Sequence, residues 1–342
     1  MAVTIKDLSA HLGISPSAVS KALNGYTDIS QDTRNRVFEA AVKLGYRPSA
    51  IARGLKTGNT FNIGIVYSEN SGSGLTHSYF SPVLESFKTE AELKGYDVTF
   101  ISNSMRASGQ KAMTYLQHSQ YRNVDGVCIV CCEFSDPQIV ELVNSGLPIV
   151  TIDRPFKDKS CVASENVKGM KALVKYIISM GHEKIAMIYG NPSNITAKRL
   201  KCFIDTMKEN GLPLSKNYLV ESLYHNPGAV KKAVNELLSL NSPPSCIILP
   251  DDFASLGAIE LMGEKNLKIP EDISIAGFDG VPILQMLHPR ITTVLQDTCT
   301  IGREAAKLLI NQIEDHKNFI PHKVEVATKL IKGETVAYNR CK

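Results

Sequence analysis

The chain lacks the features that place a protein outside the cell or in a membrane. No apolar h-region of a secretory signal opens it, since polar residues begin at Thr4. No apolar run approaches the ~18 residues that a bilayer-crossing helix needs. These absences predict a cytoplasmic protein with no membrane partner. A Gly-rich phosphate loop, a G-x-S-x-G elbow and a metal-ligand cluster are missing from every strand-to-helix setting, which argues against an enzyme and against a cofactor or metal. Eight cysteines are present, but the C-x-x-C of "CIVCC" (Cys128, Cys131, Cys132) sits in "DGVCIVCC", an apolar run that reads as a buried parallel strand. With no His or second C-x-x-C at zinc spacing, these thiols are expected to be structural.

An excess of one charge is also absent: 38 Lys and Arg stand against 34 Asp and Glu, a net +4. The distribution is uneven. Residues 1–60 hold eight bases and four acids, leaving thirty of each in the other 282 residues. A small basic head on a neutral body predicts a polyanion partner for the head alone. At 342 residues, 43% hydrophobic and 21% charged, the chain has the composition of a globular protein of two or three domains.

Within the head, Thr4 followed by Asp7 three residues later predicts a capping box, and Ile5, Leu8 and Leu12 form one apolar stripe. Gly13 breaks that helix. Ser15 caps the next, with Pro16 at its first position, and Val19, Ala22 and Leu23 make its inner face. Two short helices around a Gly-containing turn form a helix-turn-helix. Ser17, Ala18, Ser20 and Lys21 face outward, with side chains short enough to let the backbone approach a groove floor. On these residues alone, a solvated helix face fits as well as a DNA-reading one. A third helix, from Ser30 through "QDTRNRVFEAAVKL" to Gly45, supplies Val37, Ala40, Ala41 and Leu44 to a three-helix core. In "YRPSAIARGLKTGNT", Pro48 stops what precedes it, Ser49 can cap, and "AIARGL" is too short for a stable isolated helix. An exposed Leu55 there has a purpose as a minor-groove wedge, with Arg53 and Lys56 beside phosphates.

From residue 61 onward, short apolar strands such as "FNIGIVY", "GVCIVC", "KIAMIY" and "ISIAGF" alternate with amphipathic helices. That pattern predicts parallel sheet covered on both faces, and roughly 280 residues suit two sheets better than one. Ligands in such sheets sit at the carboxyl ends of strands. Those ends carry Tyr79 and Phe80, Asp153 and Arg154 ("TIDRP"), Asn194 and Arg199, Asp251 and Asp252 ("IILPDD"), and Asp279 ("AGFDG"). Asp252 serves equally as the N-cap of a helix over "FASLGAIELM", and Asp279 as a turn residue before Gly280.

The pieces "TIKDLSAHLGISPSAVSKALNG", "TRNRVFEAAVKLGYRPSAIARGLKTG", "IDRP", "MGHEKIAMIYG", "IPEDISIAGFDG" and "PRITTVLQD", in this order, resemble the lactose-repressor (LacI/GalR) family of bacterial transcription regulators over essentially the whole chain. The resemblance implies an all-α helix-turn-helix head over 1–47, a hinge helix and linker over 48–60, and an effector-binding and dimerisation core over 61–342. The core is expected to be α/β, with two parallel-sheet lobes of the type I periplasmic-binding-protein kind. One lobe would cover about 61–158 and 291–320, the other about 160–289 and 322–342, with crossings near 156–162, 288–292 and 318–323.

By position, Ser17, Ala18 and Lys21 would face bases, and Thr4, Ser15, Asn24, Ser30 and Thr33 would contact phosphate. Pro16 stands where many members place a base-reading side chain. Ser20 and the hinge residues Ser49, Ala52, Arg53, Leu55 and Lys56 complete the expected DNA-binding set. Tyr79, Phe80, Asp153, Arg154, Asn194, Arg199, Asp252 and Asp279 form the expected effector set. Where many members have Ala-Asn-Asp, this chain has Pro250-Asp251-Asp252. The implied function is a repressor, homodimeric on pseudo-palindromic double-stranded operator DNA, controlled by a small metabolite, with a sugar as the main expectation. A nucleobase, a nucleoside or a phosphocarrier protein is the alternative co-regulator. A transporter's solute-binding protein fits the core, but neither the basic head nor the missing leader.

Overall fold

The computed structural model describes residues 3–47, 54, 58–68, 72–104 and 111–339. It divides into two compact units, Met1–Phe61 and Asn62–Lys342. In the first, three helices, α1 (Ile5–Leu12), α2 (Pro16–Leu23) and α3 (Gln31–Leu44), follow the local signals closely. The Thr4 hydroxyl accepts from the Asp7 N–H at 3.3 Å, and the Asp7 carboxylate accepts from the Thr4 N–H at 2.7 Å, closing the capping box. Gly13 ends α1 with φ 66°, a left-handed conformation that favours glycine. The Ser9 hydroxyl donates to the Ile14 carbonyl at 2.5 Å and ties α1 to the turn, which alanine could not do. Leu8, Val19, Ala22 and Val37 are completely buried, and Ala40 and Ala41 join them. Each large aliphatic side chain so buried contributes about 1.5–3 kcal/mol, a modest sum for a core this small.

The second unit carries strands β1 (Asn62–Tyr67), β2 (Asp97–Ile101), β3 (Gly126–Val130), β4 (Ile149–Ile152), β5 (Ser160–Ser164), β6 (Ile185–Tyr189), β7 (Leu219–Glu221), β8 (Cys246–Ile248), β9 (Ser274–Ala276), β10 (Thr293–Gln296), β11 (Lys323–Val326) and β12 (Thr328–Ile331). Six of them form one all-parallel sheet in the order β11-β5-β4-β3-β1-β2. Four form a second parallel sheet, β7-β6-β8-β9. The antiparallel pair β10-β12 lies along β9, to which it is joined by the isolated bridges Ala276–Thr292 and Asp279–Leu295. β3, β4 and β5 are buried along their whole length, as strands covered on both faces must be. The thiol of Cys128 in β3 is completely buried and its pKa is pushed up by burial. Just past that strand, burial raises Cys132 to about 12.

Residues 160–164 and 323–326, expected in the second lobe, belong to the sheet of the first. The crossings therefore fall later than 156–162, 288–292 and 318–323: at Glu165 after β5, at Asp297 after β10, and between Val326 and Thr328. The cause is non-local. "SCVAS" has no long apolar run, and it is held as a strand between two partners, Cys161 against Thr151 of β4 and against Lys323 of β11. The helix Thr298–Glu314 returns to the first lobe and packs on the helix Phe80–Leu93. Their approach is close enough that a Cβ on Gly302 would stand 2.1 Å from the Val83 carbonyl. No helix among the described residues is long and apolar enough to cross a membrane.

Candidate DNA-binding head and effector cleft

In the head, Thr4, Ser15 and Ser30 are the caps of α1, α2 and α3, and all three are exposed. Ser15 accepts from the Ala18 N–H at 3.2 Å, and the Ser30 and Thr33 hydroxyls pair at 2.9 Å. Asn24 closes α2, its amide donating to the Ser20 carbonyl at 2.6 Å. Thr4, Ser15, Ser30 and Thr33 thus lie at helix N-termini, where backbone N–H groups and the helix dipole favour an anion, whereas Asn24 lies at a helix C-terminus. Pro16 and Ser17 are exposed on the first turn of α2, with Ala18, Ser20 and Lys21 half-buried behind them. Lys21 forms an ion pair with Asp28. Ser49, Ala52, Arg53, Leu55 and Lys56 lie outside the described residues, as does most of the expected hinge helix.

In the core, the strand ends of both lobes converge. Tyr79, buried just before the helix Phe80–Leu93, points its hydroxyl at Gln296 of β10, 3.5 Å away. Asp153 follows β4 with φ 67°, an unusual conformation for a non-glycine residue. Its carbonyl accepts from the Asn194 side chain at 3.2 Å, a direct bond between lobes. Arg199, on the helix Asn194–Glu209, is buried and anchored on several sides. Its Nε donates to Asn166 at 2.7 Å, Nη1 lies 3.5 Å from the Pro250 carbonyl, and the guanidinium stacks 3.6 Å from the Phe278 ring centroid. Nη2 faces Asp279 at 3.9 Å. Gln296 donates to Asp279 at 2.7 Å, so the Tyr79–Gln296–Asp279–Arg199 series runs from one lobe into the other.

Burial dominates the electrostatics of these groups. It raises Asp153 to about 6 against the pull of Arg199 and Lys198, and pushes Asp279 well up against Arg199. The Tyr79 phenol is raised by burial and by the nearby Asp153 and Asp279.

Two expected residues are placed elsewhere. Arg154 is exposed, its guanidinium 5.8 Å from the Phe156 ring centroid, and it does not join the Arg199 group. Asp252 is fully buried, and its carboxylate is occupied. It accepts from the N–H groups of Gly280 and Val281, each at 2.8 Å, and from the Thr293 hydroxyl at 2.6 Å. Asp252 therefore braces the turn that presents Asp279, where it was expected to face the effector. Asp251 is bound to backbone as well, accepting from the Ala254 N–H at 2.8 Å and the His225 N–H at 2.7 Å. The capping role considered for Asp252 thus falls to its neighbour.

Phe80 packs edge-on against Tyr79 and Tyr67, with ring centroids at 4.9 and 5.9 Å. Beside it stands a feature that was not anticipated. His77 of the first lobe stacks on His225 of the second, and His225 stacks on Phe253, each pair 3.9 Å apart and tilted by only 19° and 13°. Tyr224 is nearby, its hydroxyl 3.0 Å from that of Thr196. His225 and Tyr224 follow β7, whose three residues are too few to show a strand pattern, so this carboxyl end was not counted. "HSYF" did carry a signal, since His77 lies two residues before Tyr79.

Residues 4–49 match the model for "Bacterial regulatory proteins, lacI family", and residues 174–336 match the periplasmic binding protein-like domain. The HTH-type transcriptional repressor PurR of Pasteurella multocida (strain Pm70) is 30% identical over 91% of this chain and 92% of its own length. The chain belongs to the LacI family. It is a transcriptional repressor of that family, and another PurR repressor, from Haemophilus influenzae (strain ATCC 51907 / DSM 11121 / KW20 / Rd), is 29% identical over 92% of each chain. Among solved LacI-type structures, the lac repressor dimer bound to operator and the anti-inducer ONPF aligns with a TM-score of 0.82 at 22% identity. That alignment covers 98% of this chain and all of the other. A CelR–cellobiose complex aligns at 0.69 and 22% identity over 97% of this chain and 99% of the other. At that identity the likeness bears on the fold: a helix-turn-helix head and a two-lobed parallel-sheet core.

Proposed function

We propose that this LacI-family repressor acts as a homodimer on pseudo-palindromic operator DNA, and that a flat-ringed small molecule in the interlobe cleft sets its affinity for that DNA. The head offers three exposed helix N-termini, a short-side-chain face on α2 and six described bases outside the hinge: Lys6, Lys21, Arg34, Arg36, Lys43 and Arg47. That combination suits a groove floor flanked by phosphates. The observation that carries the effector reading is the column His77–His225–Phe253, near-parallel aromatic rings contributed by both lobes, with the His225 N–H held by Asp251. Flat aromatic faces with a few fixed polar groups nearby favour a nucleobase or nucleoside over a sugar as the ligand. The PurR relatives weigh on the same side, toward a purine-type ring.

Ligand binding would change how the lobes meet at Asn194–Asp153 and at the ring column, and so couple the cleft to DNA affinity. Such a coupling typically amounts to about 1–3 kcal/mol, or about 5–150-fold in affinity. The test begins by selecting a duplex from a random pool with the purified protein. Fluorescence anisotropy on that duplex is then recorded during titration with adenine, guanine, adenosine and glucose. A base or nucleoside is expected to change the apparent Kd by at least about fivefold. A response to glucose alone refutes the flat-ring reading, and failure to select any duplex sequence refutes the regulator.

A further inference from the structure

The cleft has a marked imbalance between groups that accept hydrogen bonds and groups able to hold an anion. Four carboxylates lie there: Asp153, Asp251, Asp252 and Asp279. Two cations are near them, Arg199 and Lys198. Arg199 is already committed to Asn166, Pro250, the face of Phe278 and Asp279. Lys198 is half-buried and stands near Asp153, Cys161 and Glu325 without being tied to any one of them. Adding a phosphate would place two further negative charges among four carboxylates that, among the described residues, outnumber the cations near them, at high cost where water is excluded.

The four carboxylates are not equivalent. Asp251 and Asp252 are filled by backbone N–H groups and a hydroxyl, and Asp279 accepts from Gln296. Asp153 differs: its Oδ1 is completely buried and accepts no hydrogen bond from any described residue. A buried acceptor of this kind costs about 1–3 kcal/mol while it is unpaired, and the chain holds Asp153 in a left-handed backbone conformation to keep it there. The same residue's carbonyl receives Asn194 from the opposite lobe, which fixes its position at the seam where a ligand would enter.

We propose that the cleft selects an uncharged or cationic ligand that donates hydrogen bonds, that Asp153 is the acceptor reading an amino group on it, and that phosphorylated ligands are rejected. This rests on the cleft being the effector site. It adds the charge class of the effector and the residue that enforces it.

The test uses the full-length protein with two matched sets of probes: adenine, adenosine and AMP, and glucose, glucosamine and glucose 6-phosphate. Thermal shift followed by calorimetry is expected to find a binder among the four unphosphorylated compounds. Its phosphorylated counterpart should bind at least about tenfold more weakly. AMP or glucose 6-phosphate binding as tightly as its parent overturns the proposal, as does the absence of any binder among the unphosphorylated four.

Asp153→Asn keeps the shape and tolerates the same backbone conformation. In that variant the preference for adenosine over inosine, or for glucosamine over glucose, should fall to about one. A preference unchanged from the wild type removes Asp153 from the assignment. Far-ultraviolet circular dichroism, with the melting temperature, verifies folding. Should the variant unfold, the same ratio is measured in Asp153→Glu, where the displaced carboxylate is expected to lower it. Operator binding is followed in parallel. Correct charge selection without any effect on DNA affinity refutes the regulatory reading alone, and a phosphorylated ligand that alters DNA affinity refutes the charge assignment alone.

Discussion

The head and the cleft solve opposite problems with similar residue types. In the head, polar side chains cap helices at the surface, so their stabilising bonds leave the helix ends open to a partner. In the cleft, Asp, Arg and Asn side chains are buried, and every bond they make removes an option for the ligand. The lesson is that a polar residue at the end of an element tells little until its free valences are counted. Ser15 is bonded and still presents a helix N-terminus; Asp252 is bonded and presents nothing.

The contrast can be broken most severely at Arg199. Arg199→Ala strips Asn166 and Asp279 of their cationic partner and should cost the core about 3–5 kcal/mol, with loss of ligand response, read by urea denaturation. Arg199→Lys should recover little, because an ammonium cannot lie flat on Phe278 while bonding Asn166. Leu8→Ala, in the head, should remove about 3 kcal/mol from a small core. It is expected to abolish DNA binding while ligand binding by the core, followed by calorimetry, stays unchanged.

A graded test uses pH, because the two regions should respond in opposite directions. Asp7 is held below its ordinary value by the Thr4 side chain and backbone. Its contribution is present above the unfolded carboxylate range near pH 4 and is lost as pH falls through the lower folded value. In the cleft, burial raises Asp153 to about 6 and Asp252 to about 7. The native core binds more protons than the unfolded chain between about pH 4 and 7, so its stability should fall as pH rises across that window. Melting curves from about pH 2 to 8 check both windows, and Asp252→Asn should flatten the core's response. The smallest effect is expected at Lys21. Asp28→Asn frees this lysine from an exposed ion pair that solvent screens heavily. It should tighten DNA binding a few-fold at low salt and by less at high salt.

What could be read from the sequence follows the range of the interactions. The caps, Gly13, the α2 face and the strands β1 to β4 were legible because each is set within a few residues of itself. β5 and β11 were not: β11 has only a partner some 160 residues away, and β5 lies between that strand and β4 with no long apolar run of its own. The lobe boundaries inherited that error. At the site, Tyr79, Asn194, Arg199 and Asp279 were found at strand ends and do converge. His225 escaped because β7 is too short to announce itself. Asp252 was expected to face the effector and instead braces a turn, because adjacent residues such as Asp251 and Asp252 differ only in which backbone groups surround them, and the return of the chain at Gly280 and Thr293 decides that.

The placement of the crossings has a consequence for dividing the protein. Glu165 donates its N–H to the Val326 carbonyl at 2.9 Å, so the outgoing and returning passages are fastened to each other at the seam. The first lobe takes its edge strand β11 and its helix Thr298–Glu314 from the far side of the second. A fragment that stops at residue 165 keeps five strands but loses the helix covering β3 to β5, and exposes the edge of β5. Neither lobe can therefore be removed, transplanted or expressed as one contiguous piece of chain. The core behaves as a single heritable unit, and only the head is separable.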